Sequence, residues 1–185
     1  MSEVITLPLQ PATAEALAPF GAIIGSASGA KPVAVDFYKG AVSMSYPARF
    51  ECDHPVEITL ANVEPRAGEV RYMERHAQHT QAFIPLAGKP FIAVMAPPSD
   101  GDLPDLDQVR AFRFDGSAGF AMHRGTWHEF PFGIEADTQI IVLLSSQTGY
   151  DLHAKDEVTQ EAHGPDLDKK DIRARTGRLF RFDVE

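Results

Sequence analysis

The chain has 185 residues, of which 44% are hydrophobic and 23% charged, with a net charge of −9. These are the proportions of an ordinary globular protein of roughly one domain, long enough to bury a core without covalent staples. The acidic balance argues against a nucleic-acid or anionic-membrane binder, and the single cysteine, Cys52, forbids an intramolecular disulfide and points to a reducing, cytoplasmic setting. No basic stretch followed by an apolar one opens the chain, so no signal peptide is expected. The longest apolar runs, such as residues 140–144, fall far short of the roughly 20 residues of a membrane helix.

In chain order, residues 5–9 read as a strand and residues 12–19 as a helix. Thr13 is placed to cap that helix, and Pro19 and Gly21 to stop it. Residues 25–31 are small and polar and read as a loop. From residue 33 the pattern is β, with strands expected over 33–38, 41–46, 56–63, 70–76, 81–85 and 90–96. Residues 97–106 carry Pro, Asp and Gly and read as a surface loop. Further strands are expected over 111–114, 120–123, 127–130 and 138–145. Many short strands separated by turns predict an all-β barrel or sandwich. The expected organisation is a single domain, with the barrel over residues 32–145 and a tail over 146–185. Residues 151–175 are charge-rich and read as a solvated face, and 179–182 as a last strand or docked tail. Phe37, Phe50, Phe180 and Phe182 read as more aromatic surface than one small barrel hides, which predicts a dimer.

Four of the seven histidines fall in two clusters, residues 74–81 and 123–129. If the first cluster ends a strand, alternation puts Tyr72, Glu74 and His76 on one face and Arg71, Met73 and Arg75 on the other. A carboxylate and an imidazole two residues apart suit a borderline divalent metal or an acid–base pair. Gln81 can add a neutral oxygen and His128 a fourth ligand from a distant strand. His79 is one residue out of that register and reads as a turn histidine. His54, His153 and His163 read as solvated, and Cys52 as a quiet small side chain.

The sequence Glu74-x-His76, Gln81, Gly88, followed by His123-x-Gly125-x-x-His128, resembles the two metal-site motifs of the cupins. Glu stands for the first His, Gln for the Glu, and His123 for a Pro. Within that group, Glu74-Arg75-His76, Thr80-Gln81-Ala82-Phe83-Ile84-Pro85 and His123-Arg124-x-x-Trp127-His128 are similar to the ureidoglycolate lyase family. The resemblance covers about residues 4–145. It implies a jelly-roll β-barrel and a homodimer; with the short N-terminal helix read above, the expected fold is such a barrel carrying a C-terminal extension longer than the family's. It implies a lyase that cleaves (S)-ureidoglycolate to glyoxylate and urea in purine and allantoin degradation. A divalent metal, nickel being the one usually named, is implied too, with no organic cofactor.

The expected catalytic residues are Glu74, His76 and His128. Substrate contacts are expected from Arg124, Arg75, Gln81, Tyr72 and Trp127, and metal ligation from Glu74, His76, Gln81 and His128. Arg124 is preferred over Arg75 for the substrate carboxylate, because alternation turns Arg75 outward. Glu129 stands where the family commonly has a second His. Residues 143–146 lack the family's Asp-Arg pair. Two other readings stay open: an enzyme of this family acting on another small carboxylated substrate, and a cupin binding domain without turnover.

Overall fold

The structure, a computed structural model, describes residues 2–33 and 38–184. The N-terminal arm folds as β1 (Glu3–Thr6), β2 (Leu9–Pro11), α1 (Ala14–Leu17) and β3 (Gly21–Ile24). The middle of the chain gives β4 (Val56–Val63), β5 (Glu69–Val70), β6 (Tyr72–His76), β7 (Ala82–Pro85) and β8 (Phe91–Ala96). It continues as β9 (Arg110–Phe114), β10 (Gly119–Met122), β11 (Trp127–His128), β12 (Phe132–Gly133) and β13 (Thr138–Ser145). The C-terminal segment adds α2 (Ser146–His153), β14 (Ala162–His163), β15 (Leu167–Asp171), α3 (Ile172–Thr176) and β16 (Arg178–Arg181).

These strands form three sheets. A five-stranded sheet runs β3-β10-β7-β13-β4, an eight-stranded one runs β14-β15-β6-β11-β8-β9-β2 with β12 beside β8, and a small one runs β1-β16-β5. Strand β8 explains the layering, because all six of its residues are buried. Phe91, Ala93 and Met95 join a core with Phe83, Phe120 and Val142 of the five-stranded sheet. Ile92, Val94 and Ala96 join a second core with Val70, Ile172 and Phe180 on the other side. A strand buried on both faces needs no polar alternation, hence its unbroken apolar run. The fold is therefore the expected all-β jelly-roll type, built as two facing open sheets with a third layer behind the larger one.

Local signals account for much of this. Thr13 accepts a hydrogen bond from the Ala16 amide at 3.2 Å and caps α1 as expected. Strands β4 and β13 pair along their whole lengths, Val56 with Ser145 through Val63 with Thr138. No helix among the described residues is long and apolar enough to cross a membrane.

Three expectations are corrected, and a fourth lies outside the described residues. Among the described residues 41–46 make only isolated bridges, at Val42 and at Ser45, the latter to Pro32; the left-handed backbone at Tyr38, Lys39 and Gly40 turns the chain just before them. The strand expected over 33–38, and Phe37 with it, falls mostly on residues 34–37, outside the described ones. Phe180 and Phe182 are not surface aromatics, since both are buried in the second core, with β16 pairing parallel to β1. The segment after residue 145 is not a solvated face: β15 joins β6 in the eight-stranded sheet, and Asp151, Asp166, Lys170 and Asp171 are buried. The sheets thus draw strands from both sides of residues 32–145.

Candidate active site

The site sits on the inner face of β6 and β11. Alternation along β6 sends Met73 into the second core and leaves Glu74 and His76 on the opposite face. On β11 it sends Trp127 into the second core and turns His128 inward. His128 lies directly across from Glu74 in the antiparallel register, so the two side chains stand on the same face. Gln81 precedes β7 and reaches the group from the facing sheet, itself buried.

Glu74, His76 and His128 bring their ligand atoms within 4.8 Å of one another. The Glu74 carboxyl lies 3.7 Å from His128 Nε2. The Gln81 amide nitrogen donates to His76 Nε2 at 3.1 Å. The rings of His76 and His128 are 5.3 Å apart, and Phe83 packs edge-on against His128.

Hydrogen bonds fix how each imidazole faces. His128 Nδ1 donates to the Thr126 carbonyl at 3.0 Å. His76 Nδ1 donates to Asp166 at 3.3 Å, and His79 Nδ1 to the same carboxylate at 3.0 Å. His76 and His128 therefore keep an unprotonated Nε2. Among the described residues His128 Nε2, His79 Nε2, Gln81 Oε1 and Arg124 Nε are buried without a partner.

The C-terminal segment supplies the acceptor for two of these rings. Asp166, fully buried, also accepts from Thr148 Oγ1 at 2.7 Å and from the Gln78 amide at 2.9 Å. Its own backbone is held in turn, because Asp151 accepts from the amides of Asp166 and Leu167 at 3.0 and 2.8 Å. Close approach matters at Gly164, where a Cβ would fall 2.0 Å from the Asp151 carboxyl carbon.

Electrostatics divide the group. Burial pushes Glu74 up to about 7, against a smaller opposing pull from Lys169. Burial drives His128 down to about 3, with help from the neighbouring His76. Burial also lowers His76, although Asp166 resists it. For Asp166, burial works to raise the carboxyl, but the hydrogen bonds from His76, His79 and Thr148 outweigh it and hold the group well below the usual range. At neutral pH the pocket thus holds neutral imidazoles, a carboxyl poised to exchange a proton, and a permanently ionised carboxylate beneath. A divalent cation fits this donor set. Two imidazole Nε2 atoms, an amide oxygen and a carboxyl suit a borderline metal, and Asp166 behind His76 is the outer partner that metal-binding histidines usually have.

The structure brings Glu74, His76, Gln81 and His128 together as expected, with Tyr72 on the same face. It does not bring Arg75, Trp127 or Arg124 to them. Arg75 lies on the outer face, bound to Asp168 at 3.1 Å and the Ser99 carbonyl at 2.8 Å, over the Trp127 ring. Trp127 donates to Ser99 Oγ at 2.9 Å. Arg124 makes a two-pronged pair with Asp53 at 2.8 and 2.9 Å on the surface. His79 is no turn histidine: it is fully buried, its ring 4.4 Å from that of His76. Asp166, Thr148 and Asp151 were not legible as site residues, being embedded in a charged or polar run. The close approach at Gly164 and the proline after it are the local signals that this run turns inward.

Imidazoles, a carboxyl and an amide that converge between two facing sheets make a site of the kind an acid–base or metal-assisted enzyme uses. The sequence model of the family described as ureidoglycolate lyase matches residues 4–163. A ureidoglycolate lyase of Pseudomonas putida strain W619 is 37% identical over 150 residues, covering 78% of this chain and 87% of that protein. One of Azotobacter vinelandii is 33% identical over 152 residues, covering 77% and 87%. The structure of oxalate decarboxylase from Bacillus subtilis aligns with a TM-score of 0.35 at 15% identity, over 63% of this chain and 34% of that one. The chain belongs to the ureidoglycolate lyase family. The matched span ends before Asp166 and Lys169.

Proposed function

We propose that this site cleaves ureidoglycolate to glyoxylate and urea. The observation that carries the reading is the convergence of Glu74, His76 and His128 within 4.8 Å, nearly sealed from water, in a chain of this family. The substrate is a carbinolamide, with one carbon bearing a hydroxyl, a carboxylate and a urea nitrogen. Its collapse removes the hydroxyl proton, forms the carbonyl, breaks the carbon–nitrogen bond and returns a proton to the nitrogen. No water is consumed.

Glu74 is the group suited to the proton. A carboxyl held at about 7 is half ionised at neutral pH, so it can take the hydroxyl proton and deliver it to the departing nitrogen. Its side chain is 18% exposed, against 2% for His128, which makes it the more accessible of the two to a small molecule. His128 stays neutral and keeps its Nε2 lone pair turned into the site. Asp166 locks the His76 tautomer, so that Nε2 and not Nδ1 faces the site. A divalent cation held by His76, His128, Gln81 and Glu74, nickel in this reading, would polarise the hydroxyl.

The reading extends to the (S) enantiomer, to allantoin and purine breakdown, and to a cytoplasmic homodimer. The dimer is supported by the outer face of β4. Ile58 and Leu60 are 73% and 54% exposed there, beside Ile141 and Leu143 of β13. The other edge of β4 has no strand partner among the described residues. A second copy can pair with that edge and cover that stripe. Light scattering tests it: a dimer that Ile58→Lys and Leu60→Lys convert to monomer is expected.

The test of the reaction is racemic ureidoglycolate with glyoxylate and urea both measured, with and without chelator. Equimolar products are expected, at a rate that falls on chelation and returns with added nickel. Absence of urea release overturns the reading, and turnover of another small hydroxy acid would redirect it within the family.

A further inference from the structure

We propose that Lys169 is the cation that receives the carboxylate of the substrate, a role that rests on the lyase reading above. The placement comes from strand register. On β15, Lys169 lies directly across from Glu74 of β6, and Glu74 lies directly across from His128 of β11. Directly opposed residues of antiparallel strands point to the same face. Lys169, Glu74 and His128 therefore form one row across three neighbouring strands. At a spacing of about 4.8 Å per strand, the row places Lys169 and His128 roughly 10 Å apart at the backbone, with the carboxyl of Glu74 between. A small acid whose reacting carbon sits at Glu74 would reach the long, flexible lysine stem with its carboxylate.

The second observation is that the charge is free. Among the described residues the Lys169 ammonium makes no salt bridge and no hydrogen bond, and its near neighbour is the Tyr72 ring, 5.0 Å away. The other cations around the site are committed. Arg75 is held by Asp168 and Ser99, and Arg124 by Asp53. Arg66 donates to the carbonyls of Phe130 and Pro131. Lys170, the next residue, faces the other way, into Asp102 and Asp168.

The third is electrostatic need. Glu74 and the partly buried Glu129 lie close together and are both pushed up, by burial first. An anion entering beside them meets repulsion and poor solvation unless a cation faces it. Lys169 acts on both of these carboxyls. It also compensates for the basic residue missing from residues 143–146 at the end of β13, and it does so from a strand beyond the span that matches the family.

The test is Lys169→Met and Lys169→Gln, with Lys169→Arg as the conservative variant. Expected for the first two is a KM for ureidoglycolate raised about tenfold or more, the loss of one charged hydrogen bond, with kcat within threefold. Lys169→Arg should recover most of the lost KM. Unchanged KM in both neutral variants overturns the proposal. So does a fall in kcat alone, which would mean that Lys169 only tunes the Glu74 proton. If the wild-type protein does not turn over ureidoglycolate, the lyase reading fails separately. Calorimetry with glyoxylate then decides for Lys169: weaker binding to Lys169→Met supports it, and equal binding overturns it.

Discussion

The site has two halves that obey opposite rules. The half on β6, β11 and the start of β7 leaves buried acceptors bare at His128 Nε2 and Gln81 Oε1, beside a carboxyl that burial has pushed to about 7. The half contributed by the C-terminal segment leaves nothing bare, since Asp166 accepts from His76, His79, Gln78 and Thr148 at once. Unsatisfied polar atoms in a core lower stability, and one that lines a reactive group is explained by the ligand or reaction that completes it. The saturated half holds the rings still, and the unsatisfied half meets the substrate. This division separates residues that should cost activity when changed from residues that should cost stability.

The largest effect should come from the unsatisfied half. His128→Ala and Glu74→Gln should each lower turnover by about 10²–10⁴-fold, the usual loss of a group that moves or positions a proton. Both proteins should stay folded by circular dichroism. Glu74→Gln should melt no lower than the wild type, because it removes a buried carboxyl that desolvation disfavours. Activity within a few-fold of wild type in either variant would remove the site from this pocket.

Asp166→Ala should do the reverse. It strands two imidazoles, a hydroxyl and an amide in the interior, and a loss of about 3–5 kcal/mol in urea unfolding is expected, the scale for breaking a buried ionic network on one side. Asp166→Asn should fall between, since it keeps the shape but can no longer accept from both rings. If Asp166→Ala melts like the wild type, the C-terminal segment does not hold the rings, and the division into two halves fails.

Opposite pKa shifts give the two halves opposite pH slopes. In chelated protein, Glu74 is raised from about 4.5 to about 7 by burial, so the folded state holds the proton more tightly. Its contribution is complete below pH 4.5 and is lost as pH rises toward 7, by about 2–3 kcal/mol. Glu161, in the C-terminal segment, is lowered to about 2 by its hydrogen bond with Arg175. Its contribution is present above pH 4.5 and is lost as pH falls toward 2, on the order of 1–2 kcal/mol. Subtracting the stability curves of Glu74→Gln and Glu161→Gln from that of the wild type should give differences sloping in opposite directions. Parallel differences would mean that burial does not govern Glu74.

The two halves also differ in how far the sequence exposes them. The unsatisfied half was legible because its signals are local: period-two alternation picks the face of Glu74 and His76, and motif spacing brings in Gln81 and His128. Strand β4 is equally open to reading, since Val56, Ile58 and Leu60 alternate with Glu57 and Thr59, while β13 shows itself by the apolar run of residues 140–144. The saturated half has no such period. Helix α2 is polar along its length, ordered by the Ser145 cap and by buried bonds of Thr148 and Asp151 to residues some 15 to 18 positions on. Asp166 and Lys169 sit among Asp168, Lys170 and Asp171, a run that reads as solvated until β15 is known to pair with β6. Burial of a charge depends on partners distant in sequence, and alternation cannot reveal those.

The smallest predicted effect concerns Arg124, which local reading places at the substrate and the fold places elsewhere. Its guanidinium is paired with Asp53, about half exposed, and lies near Glu51. Surface pairs of this kind contribute about 0–1 kcal/mol, so Arg124→Gln should change stability by less than about 1 kcal/mol. KM for ureidoglycolate should stay within about threefold, because no reacting group lies against this side chain. The comparison with Lys169 is what gives the measurement its force, since both are cations and only Lys169 stands in the Glu74–His128 row. A tenfold rise in KM for Arg124→Gln, with Lys169→Met unchanged, would return the carboxylate to the loop before β11. It would also mean that the Asp53 pair opens when substrate enters.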